Sequence, residues 1–298
     1  MRFQRTGGWL AAALLGAAGP LLAADTKSAA AAPAAKLTAP ATGQIPVAFV
    51  LSKGATIIDF TGPWEVFQDV YLPSRAEQSP FSLYTVAETK DPIRASGGMK
   101  IVADYTFDDA PQPKVIVIPA QSGGTKLVAW IKKSSEKADL VMSVCTGAFV
   151  LAETGLLTGK SATTHHSAYR SFSMKYPDIE LKRGARYVEN GKLATAGGLT
   201  SGIDLALRVV ERYFGQEAAE STAYQMEYQG QGWLRPDSNA IYAKKLASTA
   251  AHPLCPVCEM EVDPKNAPKS AFKGQSYYFC SDDHKAEFDK APEKWIDR

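Results

Sequence analysis

The sequence predicts an α/β sandwich with a mostly parallel sheet, followed by a small Cys/His metal-binding C-terminal domain. Three observations carry this. Short apolar runs of buried-strand type alternate with helical spacings through most of the chain, the pattern of a parallel sheet covered on both faces. Cys145 stands alone between such a strand and a helix, whereas Cys255, Cys258 and Cys280 crowd the C-terminal end. At 298 residues the chain has room for one full α/β domain and something smaller.

The elements follow in order. Ile45–Leu51 (IPVAFVL) is a continuous apolar run and reads as the first strand. Gly62-Pro63 can open a helix through Glu65, Val66, Phe67 and Val70, because proline is tolerated in a first helical turn. Phe81–Ala87 and Val115–Pro119 are further strands, and Leu127–Lys133 has helical spacing. Leu140–Val144 (LVMSV) is another buried strand; it runs into Cys145-Thr146-Gly147, and a helix is expected over Ala148–Leu157. Ile203, Leu207, Val210 and Phe214 share one helical face. Gly230–Asp237 ends the domain.

Before the first strand, Arg2 and Arg5 precede an apolar stretch from Trp9 to Ala24 that ends in small residues. This reads as a signal peptide over 1–24, since the run is shorter than the about 20 residues that span a bilayer comfortably. Export, to a periplasm, is therefore expected, with no integral membrane span left after cleavage. Nothing between Asp25 and Gln44 builds a core, so 25–44 is expected to be a disordered linker. The large domain is set at 45–235, a connector at 236–253 and the metal-binding domain at 254–298. With 33 basic and 31 acidic residues and no basic run, nucleic acid is not an expected partner.

A cysteine at an abrupt strand-to-helix turn has its thiol lifted to the carboxyl edge of the sheet, where helix-terminal amides favour the thiolate. Cys145 has that placement; the competing reading is a buried structural cysteine. Asp59 follows the first strand and falls on the same edge, where it can shuttle a proton, or else serve as a turn residue. His165, beside His166, is a candidate acid or base, and Gly197-Gly198 opens a glycine-rich turn before a helix. That turn does not have the spacing of a dinucleotide fingerprint.

Four ordered blocks together resemble the ThiJ/PfpI superfamily, and most closely its isonitrile hydratase-like branch. They are Asp59-Phe60-Thr61-Gly62-Pro63-Trp64-Glu65, Ser143-Val144-Cys145-Thr146-Gly147-Ala148, Ala162-Thr163-Thr164-His165 and Thr195-Ala196-Gly197-Gly198-Leu199-Thr200-Ser201-Gly202. The resemblance implies a flavodoxin-like sandwich of the type 1 glutamine amidotransferase-like kind, usually a homodimer. It implies Cys145 as nucleophile, Asp59 as the active-site acid, Thr146 as a neighbouring amide and hydroxyl, and a small-molecule substrate held near Gly197, Gly198 and Ala120. No cofactor is implied at Cys145. Two positions depart from the pattern: Ala120-Gln121 replaces a Gly-Gly pair, and His166 replaces a tryptophan.

Cys255-x2-Cys258, Cys280 and His284 form a soft donor set suited to tetrahedral zinc or copper(I). The x3 spacing places Cys280 and His284 one turn apart on a helix. A Cys255–Cys258 disulfide is the alternative in an oxidising compartment. With Ser276-Tyr277-Tyr278-Phe279 and Pro292-Glu293-Lys294-Trp295, the segment resembles a YHS domain. Two functions stand: a cysteine enzyme that hydrates isonitriles to N-substituted formamides, and a non-catalytic metal-handling or redox-stress protein. A transcription regulator is disfavoured, because a Cys/His module stands where a helix-turn-helix pair would.

Overall fold

The computed structural model describes residues 35–73, 75, 79–243 and 248–296. The expected signal peptide and the first part of the linker lie outside these residues. The strands are β1 (Ile45–Val50), β2 (Phe81–Ala87), β3 (Ile93–Arg94), β4 (Lys100–Ile101), β5 (Tyr105–Thr106), β6 (Val115–Ile118), β7 (Leu140–Ser143), β8 (Ser161–Ala162), β9 (Glu180–Leu181), β10 (Tyr187–Asn190), β11 (Leu193–Ala196), β12 (Lys269–Phe272) and β13 (Gln275–Tyr278). The α-helices are α1 (Ile57–Gln68), α2 (Thr125–Ser135), α3 (Gly147–Glu153), α4 (Tyr169–Lys175), α5 (Ser201–Phe214), α6 (Gln216–Gln225), α7 (Asp282–Lys290) and α8 (Glu293–Ile296).

Seven strands make one sheet in the order β10-β11-β7-β6-β1-β2-β5. All its pairings are parallel except β10 with β11. The fully apolar strands are buried because helices cover both faces. On one side Phe49, Val117 and Met142 pack with Val66 and Phe67 of α1 and Leu205 and Val209 of α5; on the other Ile116, Ile118 and Val141 pack with Ile131 of α2 and Leu151 of α3. The predicted sandwich is therefore the observed one.

Local differences have local causes. Helix α1 opens at Ile57, not at Gly62, so Pro63 lies inside it and Asp59 sits in its first turn. A proline there has no N–H for the carbonyl four residues back, which is that of Asp59. Helix α3 stops at Glu153, short of Leu157, because the Thr154 hydroxyl takes the Leu151 carbonyl at 2.6 Å and Gly155 turns the chain at φ 78°. The buried face of α5 runs through Leu205, Ala206, Val209, Val210 and Tyr213 as well as Leu207, leaving Ile203 and Phe214 half-buried.

The end of the linker is irregular in backbone but held to the domain. Leu37 donates its N–H to the Arg212 carbonyl at 2.8 Å, and Leu37 and Ala39 pack against the core. At the other boundary, Trp233 is buried and Asn239 bonds Arg186 and Ser201, so ordered contacts with the domain run past 235.

Near the C-terminus, β12 and β13 form a hairpin turned by Lys273 and Gly274, both at positive φ. A small core of Cys255, Val257, Phe279, Phe288 and Trp295 lies beneath it. None of the helices among the described residues is long and apolar enough to cross a membrane.

Gly147 shows how tightly α3 is set against the sheet. A Cβ there would lie 2.3 Å from the Ile118 carbonyl oxygen and 2.7 Å from that of Pro119, both main-chain atoms that cannot rotate away. Gly147→Ala should therefore cost about 3 kcal/mol, at the upper end for overpacking. Gly124→Ala, where nothing lies within 4 Å, should be near neutral by thermal unfolding.

Candidate active site and metal centre

Strand β7 ends at Ser143, and the chain reaches α3 only by passing Cys145 through the left-handed region at φ 58°. For a residue with a Cβ that conformation is disfavoured and needs support from its surroundings. The Cys145 N–H donates to the Gly197 carbonyl at 2.8 Å, and its own carbonyl accepts from Thr164 Oγ1 at 2.9 Å. The thiol is thereby held at the carboxyl edge of the sheet, 8% exposed.

The surroundings of the sulfur that favour negative charge are the amides of Thr146 and Leu199 and the Thr146 hydroxyl. Leu199 escaped the sequence reading. It stands at φ 50° just past Gly197-Gly198, and its amide acts on the sulfur from that turn. Only the glycine pair before it hinted at such a turn. These donors favour the thiolate but do not prevail. Burial first, and the Asp59 charge second, push the thiol up to about 12. The expectation of a thiolate at neutral pH is corrected here: a desolvated sulfur beside a carboxyl keeps its proton.

Asp59 is fully buried. Its Oδ2 accepts from the Ala120 N–H at 3.0 Å, and the carboxyl lies beside the Cys145 thiol. Oδ1 has no partner among the described residues, and that shortage of donors makes ionisation costly. Burial raises the carboxyl from 3.8 to about 7, against the smaller lowering effects of Ala120 and Cys145. The first proton to leave this pair therefore comes from Asp59, which places a carboxylate base beside a protonated thiol around neutrality.

The remaining candidates divide. Ala120 gives its N–H to Asp59, so that amide is not offered to a substrate. Gly197 receives the Cys145 amide, and Gly198 lies under the His165 ring, where a Cβ would fall 2.2 Å from Cδ2. His165 accepts from the Ser167 N–H at Nδ1 and stacks on His166, which stacks on Tyr242. Burial, with His166 contributing, lowers its pKa and so favours the neutral ring. No hydrogen bond joins His165 to Cys145 among the described residues, so its place is beside the turn rather than on the sulfur.

In the C-terminal module, Cys255, Cys258, Cys280 and His284 come together with ligand atoms all within 4.8 Å of one another. Cys280 Sγ lies 3.0 Å from His284 Nδ1, Cys255 Sγ 3.7 Å from the same nitrogen, and Cys258 Sγ 3.5 Å from Cys280 Sγ. A tetrahedron with bonds of about 2.3 Å has edges of roughly 3.8 Å, so the donor set fits a soft metal ion. All four cysteines are free thiols. The hydrogen bond from Cys258 brings Cys255 down to about 4 and pushes Cys258 up, so one proton is shared between two sulfurs. Cys280 is not on the helix, as its spacing had suggested. It precedes Ser281, whose hydroxyl caps α7 by accepting from the His284 N–H at 3.3 Å. Met260 is 46% exposed, and His252 is exposed and bonded to Glu261.

The Asp59 shift has a consequence for stability. Folding raises this pKa, so the folded protein holds the proton more tightly than the unfolded chain. Its favourable contribution is full below pH 3.8 and is lost as pH rises through about 7, roughly 4 kcal/mol in all. Asp59→Asn should therefore gain thermal stability relative to the parent at pH 8, and the gain should shrink toward pH 5. A difference in melting temperature that does not change with pH would show that Asp59 ionises freely.

Residues 46–212 match the DJ-1/PfpI family, and residues 255–298 match the YHS domain. Isonitrile hydratase from Pseudomonas putida is 34% identical over 188 residues, covering 61% of this chain and 78% of that protein. The HTH-type transcriptional regulator CdhR of Pseudomonas aeruginosa is 25% identical over 193 residues, 63% of this chain but 55% of the regulator. A THiJ/PfpI family protein from Pseudomonas syringae superposes with a TM-score of 0.56 at 25% identity, covering 74% of this chain and 85% of that one. With the family match spanning more than half of its length, and the cysteine turn and acid in place, the chain belongs to the DJ-1/PfpI family.

Proposed function

We propose that this chain is an exported, homodimeric cysteine enzyme that hydrates isonitriles to N-substituted formamides and carries a metal-binding YHS module. The observation that carries the reading is the buried Asp59–Cys145 pair, in which burial pushes the acid up to about 7 beside a thiol pushed up to about 12. The 34% identity to isonitrile hydratase supports the substrate class, and the N-terminal apolar segment supports export.

The chemistry balances without an oxidant. Ionised Asp59 accepts the thiol proton as Cys145 Sγ bonds to the terminal isonitrile carbon, and that proton passes to the same carbon, giving a thioimidate. Water then adds to the carbon, its proton passing through Asp59 to the nitrogen. The C–S bond breaks, the hydroxyl proton returns to sulfur, and an N-substituted formamide leaves. The amides of Thr146 and Leu199 would steady negative charge on sulfur as that proton moves. His165 against Gly198 would form part of the wall around the entering group.

At the second site, Cys255, Cys258, Cys280 and His284 would hold zinc or copper(I), an ion that ties together the ends of a small fold. A second reading, a non-catalytic metal-handling or redox-stress protein, is favoured by that convergent donor set alone.

Formamide production from an aryl isonitrile separates the two. Cys145→Ala should abolish turnover, because no other nucleophile replaces the covalent route. Asp59→Asn should keep the fold and lose roughly 10²–10⁴-fold in rate. In the parent protein the rate should rise with pH through about 7 as Asp59 ionises. No product above the Cys145→Ala background, with the thiol confirmed reduced, selects the metal-handling reading.

For the metal site, the reduced full chain should take up one zinc or copper(I) ion. Affinity should fall on acidification as the donors are protonated, and should weaken at least tenfold, as an order of magnitude, in Cys280→Ser. Uptake unchanged by that substitution would remove Cys280 from the ligand set.

A further inference from the structure

The core of the C-terminal module packs against Met174 of α4, in the large domain. Beside that apolar contact, two arginines of the large domain converge on one carboxylate. Arg183 Nη2 donates to Glu259 Oε2 at 2.9 Å, and Arg170 Nη1 lies 3.9 Å from Glu259 Oε1. Arg170 also donates to the main-chain carbonyl of Trp295. Arg183 is steadied by the Tyr169 ring, 4.9 Å away, and the Tyr169 hydroxyl accepts from the Gly184 N–H. The three charged side chains are only 19–23% exposed. Charge-assisted bonds are strong in such a setting, and deleting one partner leaves a poorly solvated charge behind.

Glu259 follows Cys258 directly and stands at φ 62°. The turn it makes folds the two cysteines back on each other: the Glu259 N–H bonds the Cys255 carbonyl, and the Cys255 N–H bonds the Met260 carbonyl, both at 2.8 Å. Glycine would satisfy this backbone without strain. The chain has instead a residue whose carboxylate reaches across to the large domain.

We propose that Arg170 and Arg183 are positioning residues of the metal centre. They clamp Glu259 and so hold the left-handed turn that brings Cys255 and Cys258 together, and full metal affinity belongs to the docked chain rather than to the C-terminal module alone. The proposal rests on the metal-binding reading above. The charges point the same way. Three thiolates and a neutral imidazole around a divalent ion leave a net negative centre, and the Arg183 guanidinium lies beside it across Glu259. By linkage, an ion that fixes the turn also strengthens the docking.

The test is zinc affinity of the reduced full chain, measured by competition with a chromogenic chelator. Cobalt(II) visible spectra report sulfur coordination separately. Removing both arginines (Arg170→Ala with Arg183→Ala) should weaken zinc binding about tenfold, the lower end of what partners outside the ligand sphere contribute. Far-UV circular dichroism should stay unchanged, and Arg183→Lys alone should lose less than Arg183→Ala. In a Glu259→Gly background, removing the arginines should change affinity by less than about twofold. Equal affinity for the parent and the double variant, with Cys280→Ser still impaired, overturns the clamp and leaves metal binding standing. An arginine effect that persists without Glu259 also overturns it. No zinc uptake by the parent overturns both readings.

Discussion

The large domain turns on the main chain of Cys145 at φ 58°. Holding a residue with a Cβ in that region costs about 1–2 kcal/mol, so the surroundings must over-determine it. They do so from three directions. Gly197 takes the amide, Thr164 takes the carbonyl, and Gly147 lets α3 close onto the Ile118 and Pro119 carbonyls without a side chain between them. Two of these supports lie at the ends of β6 and β11, the strands that flank β7, and the third follows β8 of the separate two-stranded sheet, so the site needs β6, β7 and β11 side by side. Further support lies behind the glycine turn. Arg186 takes the Gly197 N–H on its carbonyl, and its guanidinium bonds Asp204 and Thr200. Asp204 in turn receives the Tyr228 hydroxyl and the Trp233 N–H, which ties the segment after α6 to the same turn.

How much of this the sequence disclosed depends on the kind of information each residue carries. Strand runs such as Val115–Ile118 were legible because burial on both faces demands unbroken apolar sequence. Cys145 was legible because a polarisable thiol between an apolar run and Thr146-Gly147 is a local pattern. The start of α1 was not. Gly62-Pro63 looks like an opening, but the helix runs through them with its buried face in the core shared with α5. Nor was Leu199, whose part in the site is played by its amide, so that the side-chain identity says nothing. The antiparallel edge strand β10 was equally hidden, since half-buried Val188, Glu189 and Asn190 carry no apolar run. The thiolate inference failed for a related reason: donors can be guessed from a turn, but the degree of burial that outweighs them is a property of the whole fold.

The four cysteines show that the element does not set the chemistry. Cys145 and Cys255 are both buried, yet the thiol of one is pushed up and that of the other is brought down by its partner Cys258. What differs is the company. Cys145 faces a carboxyl that competes for negative charge, whereas Cys255 is bonded by a second thiol that gives up its share of the proton-poor state. Reduced to electrostatics, the first environment stores a proton and the second stores a negative charge.

That contrast bears on how two thiol sites coexist in one chain. A soft cation is drawn to a pre-existing thiolate with further donors in reach, and the module offers three sulfurs and an imidazole within 4.8 Å. Binding at Cys145 would require displacing its proton against both burial and Asp59, with a single sulfur to offer. The same burial that keeps Cys145 protonated therefore keeps it from competing for metal. The separation is thermodynamic rather than steric, and it follows from burial first and the neighbouring carboxylate second.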